Sequence, residues 1–196
     1  MELNLVDFEK NQAKFIEKTV KRQEIFKGQI IDVALDTVQL PNGQEASREL
    51  VFHPGGVGII PVLTDGRILF VKQFRKPLEK IILEIPAGKI EPTENRSPEV
   101  TAKRELEEET GYQASNWQHL IDMYVSPGFA DECLHIYYAD GLQKVENPLP
   151  QDEDEVIELY ALTLAEAKEA VAKGWICDAK TLYAVQYCEL QQLQGK

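Results

Sequence analysis

Basic residues are scarce in this 196-residue chain: 21 Lys and Arg stand against 33 Asp and Glu, a formal net charge of -12. That balance argues against nonspecific nucleic-acid binding. It also means that an anionic substrate needs a metal ion and locally placed arginines in order to approach. Cysteine is scarce too. Cys133, Cys177 and Cys188 are odd in number and form no C-x-x-C pair, so neither a disulfide framework nor a zinc site is indicated, and a reducing cytoplasm is the expected compartment. The three histidines, His53, His119 and His135, lack metal-ligand spacing and read as structural. No run approaches the roughly 18 to 20 apolar residues that span a bilayer. Residues 1–18 lack the apolar core of a signal peptide, so a soluble protein without a membrane partner is expected.

What the chain has in excess is carboxylate, concentrated in residues 88–112, GKIEPTENRSPEVTAKRELEEETGY. Ser97-Pro98-Glu99 reads as a helix start: serine as N-cap, proline at the first helical position, and an acid near the positive end of the macrodipole. Gly111 reads as the stop. Glu105, Glu107, Glu108 and Glu109 crowd the last turns, where the backbone carbonyls are already partially negative. At 100° per residue Glu105, Glu108 and Glu109 share one face and Glu107 points elsewhere. Like charges at this spacing repel, and Arg104 and Lys103 supply only part of the compensation. An all-oxygen cluster without Cys or His suits a hard cation, Mg²⁺ or else Mn²⁺, which also binds substrate phosphates. The alternative is a solvated acidic helix face.

Gly88, Glu94, Arg104-Glu105-Leu106, Glu108-Glu109, Gly111 and Tyr112 together resemble the Nudix hydrolase box. Nine residues separate Glu94 from Arg104 where the family pattern has seven, and the extra two most simply lengthen the loop before Pro98. In the family the glutamate at this position supports the loop and helix. QFRKP around Arg75, the EIPAGK that follows, and SPGFADE with Pro127 sixteen residues after Gly111 are similar to the ADP-ribose pyrophosphatase branch.

The length allows one well-packed domain and an accessory piece. Residues 1–22 read as a polar arm. Residues 23–52 alternate apolar and polar positions around Pro41-Asn42-Gly43, a hairpin that has too little core to stand alone. His53-Pro54-Gly55-Gly56 marks a boundary between an N-terminal strand unit, 1–55, and a domain over 56–196. There, residues 57–63 and 68–73 flank Asp65-Gly66 as a second hairpin. Strands follow at 81–85, 119–125, 133–139 and 156–162, with helices over 164–173 and from Asp178 to about 193. The expected class is α+β: a Nudix-type α/β/α sandwich with a mixed sheet, plus the N-terminal antiparallel unit.

The resemblance implies Mg²⁺-dependent hydrolysis of ADP-ribose, a nucleoside diphosphate derivative, to AMP and ribose 5-phosphate. It implies metal binding by Glu105, Glu108, Glu109 and the Ala87 carbonyl. A mobile acidic loop, 152–155, would add Glu155 as a ligand and Glu153 as general base, with Glu108 and Glu109 also in the catalytic set. Arg48 and Arg75 suit phosphate recognition through their forked guanidinium groups. Pro127, Gly128 and Phe129 complete the implied substrate contacts. The N-terminal unit resembles the portion through which this branch forms homodimers, with Phe26 or Phe52 near the adenine. Two alternatives stay open, a Nudix hydrolase of a nucleotide sugar and a non-catalytic ligand-binding module.

Overall fold

The computed structural model describes residues 10, 12–91, 97–151 and 156–195. Two compact units emerge: the described residues up to His53 with Ser126–Glu132, and the rest from Pro54 onwards. The segment Ser126–Glu132 thus joins the N-terminal strands rather than the domain in whose sequence it lies.

In the first unit, β1 (Lys18–Lys27), β2 (Asp32–Gln39) and β3 (Glu45–Phe52) form an antiparallel sheet in that order. The hairpin expected over 23–52 is therefore a three-stranded meander, and Lys18 to Arg22 belong to its first strand, not to a polar arm. Every residue of β1 is exposed, so no buried alternation marks the strand in the sequence. The 126–132 segment continues the sheet edge: Val51 donates to the Phe129 carbonyl at 2.8 Å, and Asp131 donates to the Val51 carbonyl at 3.1 Å. Asp36 is buried on β2 and takes both Nε and Nη2 of Arg22, each at 2.8 Å.

The second unit has two main sheets. One runs β7 (Ala87–Lys89), β4 (Gly56–Pro61), β10 (Cys133–Asp140), β9 (Asn116–Tyr124), with β4 and β10 parallel and the other pairs antiparallel. The other runs β12 (Glu158–Leu162), β5 (Ile68–Arg75), β6 (Lys80–Glu84). The short strands β8 (Tyr112–Gln113) and β11 (Gln143–Lys144) pair with each other. The turn at Asp65-Gly66 exists, but β4 and β5 meet only at one bridge, Val62 to Ile68, and then enter different sheets. The expected second hairpin is thus replaced by a splayed corner. The reason is burial on both faces: every residue of β4 is buried, as in a central strand flanked by layers.

Two apolar clusters lie on opposite sides of β4 and β10. Val57, Ile59, Tyr137 and Ala139 pack with Ala102 and Leu106 of α1 (Pro98–Thr110). Ile60 and Ile136 pack with Ala167 and Ala170 of α2 (Leu164–Ala172) and Ala184 and Val185 of α3 (Ala179–Leu193). This is the α/β/α sandwich with a mixed sheet. Thr163 and Glu166 form a capping box on α2, and Asp178 caps α3 through the Thr181 amide, as the sequence signals direct.

Candidate active site

The acidic helix is α1. Pro98 takes the first helical position and Gly111 closes the helix in the left-handed conformation at φ 71°, which glycine adopts without steric cost. Ser97 has extended backbone but makes no side-chain cap, and its carbonyl accepts the Thr101 amide at 3.3 Å instead. Ala102 and Leu106, both fully buried against β4 and β10, fix the rotation of the helix. Glu105 and Glu108 are then left 12% and 17% exposed, and Glu109 only 3%.

Carboxylates so screened from water need compensation. Arg104 bridges two of them: Nη2 lies 2.8 Å from Glu105 Oε1, and Nη1 bonds Glu108. Glu109 accepts the Ala87 amide at 2.9 Å. Lys103, expected to help, pairs with Glu99 at 2.7 Å and sits over the Trp117 ring, so the cluster does not receive its charge. Glu107 does point elsewhere. It accepts Gln113 Nε2 at 2.7 Å and the Leu149 amide at 3.1 Å, tying α1 to the 143–149 segment.

The glycine-led loop proves to be β7, an edge strand laid along β4, in which Gly88 pairs with Val57. A Cβ at Gly88 would overlap the Glu105 carboxyl carbon and oxygen, so the carboxylate keeps this position only while residue 88 is glycine. The strand is anchored from the other side of the sheet. Thr181 Oγ1 accepts the Ile85 amide at 3.0 Å, and Lys180 Nζ contacts Glu84 at 2.6 Å and Asp178 at 3.0 Å. These contacts from the start of α3 hold the connection that delivers Ala87 and Gly88.

Two partly buried carboxylates and one fully buried, on one helix face and packed against a glycine, make an oxygen donor set without histidine or thiol. That set fits a hard divalent cation.

The remaining residues are distributed as follows. Arg75 Nε contacts Glu84 at 2.6 Å, within a buried network completed by Lys180. In the N-terminal unit Arg48 grips the Glu17 carboxylate, with Nε at 2.9 Å, and also donates to the Ser47 carbonyl. Phe129 is 55% exposed and Phe26 equally open, whereas Arg22 stacks 4.8 Å over Phe52. Pro127 and Gly128 lie in the turn closed by bonds from the Phe129 and Ala130 amides to the Ser126 carbonyl. Glu94, Glu153 and Glu155 lie outside the described residues. The histidines His119 and His135, which their spacing did not connect, converge on Asp122.

Comparisons with known proteins agree with this geometry. Residues 52–184 match the NUDIX domain, and residues 17–51 match the nucleoside diphosphate sugar hydrolase N-terminal domain. The chain is 51% identical over 91% of its length to the methanol dehydrogenase activator of Bacillus methanolicus, covering 95% of that protein. It is 48% identical over 90% of its length to the ADP-ribose pyrophosphatase of Bacillus subtilis, covering 94% of that protein. A GDP-mannose pyrophosphatase of Yersinia enterocolitica is 39% identical over 66% of this chain and 70% of its own. A crystal structure of an ADP compounds hydrolase superposes with a TM-score of 0.78 at 21% identity, covering 91% of this chain and 95% of that one, and so shares its fold. The box on α1, the sandwich around it and the match across residues 52–184 establish that this chain belongs to the Nudix hydrolase family.

Proposed function

We propose that the chain hydrolyses the pyrophosphate bond of ADP-ribose to AMP and ribose 5-phosphate. The observation that carries this reading is the convergence of Glu105, Glu108 and Glu109 beside Gly88, in a chain 48% identical to an ADP-ribose pyrophosphatase. Glu105, Glu108 and Glu109, with the Ala87 carbonyl and Glu155, would hold Mg²⁺, or Mn²⁺ in its place. The ion supplies charge neutralisation on the diphosphate and acidifies attacking water. A water oxygen bonds to one phosphorus, the bridging P–O bond breaks, and its electron pair leaves with the other phosphate. Glu153, or Glu108 or Glu109 of the helix, accepts the water proton.

Arg75 suits the phosphates because its Nε is held by Glu84 while its terminal nitrogens make no hydrogen bond among the described residues. Arg48 takes the second phosphate-binding role by exchanging Glu17 for substrate, and Pro127, Gly128 and Phe129 line the sugar or base. The N-terminal unit, residues 1–55, serves as a homodimer interface, and residues 56–196 as the hydrolase domain. The exposed Val20, Ile25 and Phe26 along β1 support this, because an exposed apolar strand seeks a partner. A dimer mass by light scattering is expected, and a monomer would overturn that assignment. The free cysteines fit a reducing cytoplasm. Among the described residues no helix is long and apolar enough to cross a membrane.

A second reading, a nucleotide sugar as substrate, is favoured by the GDP-mannose pyrophosphatase relatives and the N-terminal domain match. Side-by-side kcat/KM values for ADP-ribose and GDP-mannose separate the two. Preference for ADP-ribose supports the proposal, preference for GDP-mannose overturns the substrate, and binding without turnover of either in saturating Mg²⁺ overturns the enzyme reading. Similarity to the methanol dehydrogenase activator adds a further role, stimulation of a dehydrogenase, read directly by adding the protein to that enzyme's assay.

A further inference from the structure

His119 and Asp122 stand three apart on β9, a spacing that puts side chains on opposite faces of a regular strand. Here they share a face. The pairing runs His135 to Asp122, Ile136 to Ile121, then Tyr137 to His119, which leaves Leu120 as the extra residue of a β-bulge. Bulges of this kind re-aim side chains. The result brings His119 Nε2 and His135 Nδ1 each to 2.7 Å from the same oxygen, Asp122 Oδ1. One ligand atom from each of the three residues falls within 4.8 Å of the others.

We propose that His119, Asp122 and His135 form a second divalent-metal site, for a borderline first-row ion of the zinc class, separate from the oxygen site on α1. Two imidazoles and one carboxylate are the donor set such ions prefer, whereas Mg²⁺ favours oxygen alone. Metal–nitrogen bonds of about 2.0 to 2.1 Å require ligand atoms roughly 3.3 Å apart in a tetrahedral site. The two 2.7 Å nitrogen–oxygen separations must therefore lengthen by about half an ångström while the two imidazole nitrogens, within 4.8 Å of each other, draw together by ring rotation. All three side chains are partly exposed, His135 least so at 23%, leaving room for an ion to enter and for solvent in the remaining coordination position.

The site's location gives it a relation to the acidic helix. Gly88, Val57, His135 and Asp122 form one cross-strand row over β7, β4, β10 and β9, so their side positions share one sheet face. That face carries Val57, which packs with Ala102 and Leu106 of α1. His135 is two strands from Gly88, about 10 Å at the usual strand spacing. His119 is braced there by an edge contact with the Tyr137 ring, with centroids 5.3 Å apart.

The test uses the full protein in saturating Mg²⁺, which occupies the oxygen site, and titrates Zn²⁺ while recording long-range proton–nitrogen spectra of its three imidazoles. One equivalent is expected to move the ring nitrogens of His119 and His135 and leave His53 unchanged. Calorimetry should then show at least about tenfold weaker Zn²⁺ binding in His119→Ala, His135→Ala and Asp122→Asn, since even outer-shell changes commonly cost that much. No response at His119 and His135, a response confined to His53, or Zn²⁺ binding that survives the histidine substitutions and is lost in Glu108→Gln would overturn the proposal. The spectra of the unaltered protein decide the matter even where a variant fails to fold.

Discussion

The Glu105 carboxylate lies against the α-carbon of Gly88, in the space that any other residue's Cβ would occupy. The acidic helix and the edge strand are thereby locked in one register, and the Gly88→Ala variant is the sharpest probe of it. Gly88 sits in ordinary strand backbone, and the group in the way is the movable end of a side chain, so the fold survives while the carboxylate is displaced. Misplacement of this order costs about 10²-fold in rate. Kinetics beside a thermal melt should show kcat reduced by that factor with an unchanged transition; full activity would mean that Glu105 does not need its position.

Lys180 and Glu84 form a buried pair 2.6 Å apart, with Arg75 on the other Glu84 oxygen. Removing one partner of a buried pair is costly because it strands the other charge. Lys180→Met should lose about 3 kcal/mol, the low end of the range because Arg75 remains. In a chain of this size that corresponds to roughly 6 to 12 °C in Tm. A melt within a degree of the parent would show that solvent or Arg75 compensates fully.

Asp36 sets an acid limit on the N-terminal unit. Hydrogen bonds from Arg22, assisted by Thr19 and opposed by burial, hold its carboxyl below the usual range. A depressed folded value means that this stabilisation is complete above the ordinary Asp value of about 4 and is lost as pH falls through the folded one. Urea midpoints at pH 7 and pH 3 should therefore differ more for the parent than for Asp36→Asn. Equal differences would dissociate Asp36 from acid unfolding.

The thiols should react unequally. Burial pushes Cys188 up to about 11 and raises Cys133, while Cys177 is exposed. Because the thiolate is the nucleophile, alkylation at pH 8 followed by peptide mapping should label Cys177 first and Cys188 last. Labelling of native Cys188 as fast as Cys177 would contradict this order.

Much of this architecture is legible in local signals. Pro98, Gly111, the capping box at Thr163 and Glu166, and the Asp178 cap declare the helices because capping is decided by neighbouring residues. The convergence of Glu105, Glu108 and Glu109 follows from helical spacing alone. What stays hidden depends on pairing between distant strands. β1 is exposed on both faces and so lacks alternation, and β4 and β5 part company because β4 is buried along its whole length and β5 over its first half. The bulge at Leu120, which turns His119 towards Asp122 and His135, leaves no mark in the spacing of the histidines. The Lys180 pairing with Glu84, 96 positions away, likewise has no local signal.

Under the proposal that the α1 carboxylates hold the ion that drives hydrolysis, the deciding experiment is product formation from ADP-ribose and Mg²⁺ by the parent and by Glu109→Gln, resolved chromatographically. AMP and ribose 5-phosphate are expected from the parent and a loss of roughly 10³-fold in the variant, the several kcal/mol that a catalytic ion contributes. Undiminished turnover by Glu109→Gln, or by the parent with all divalent ions chelated, would contradict it.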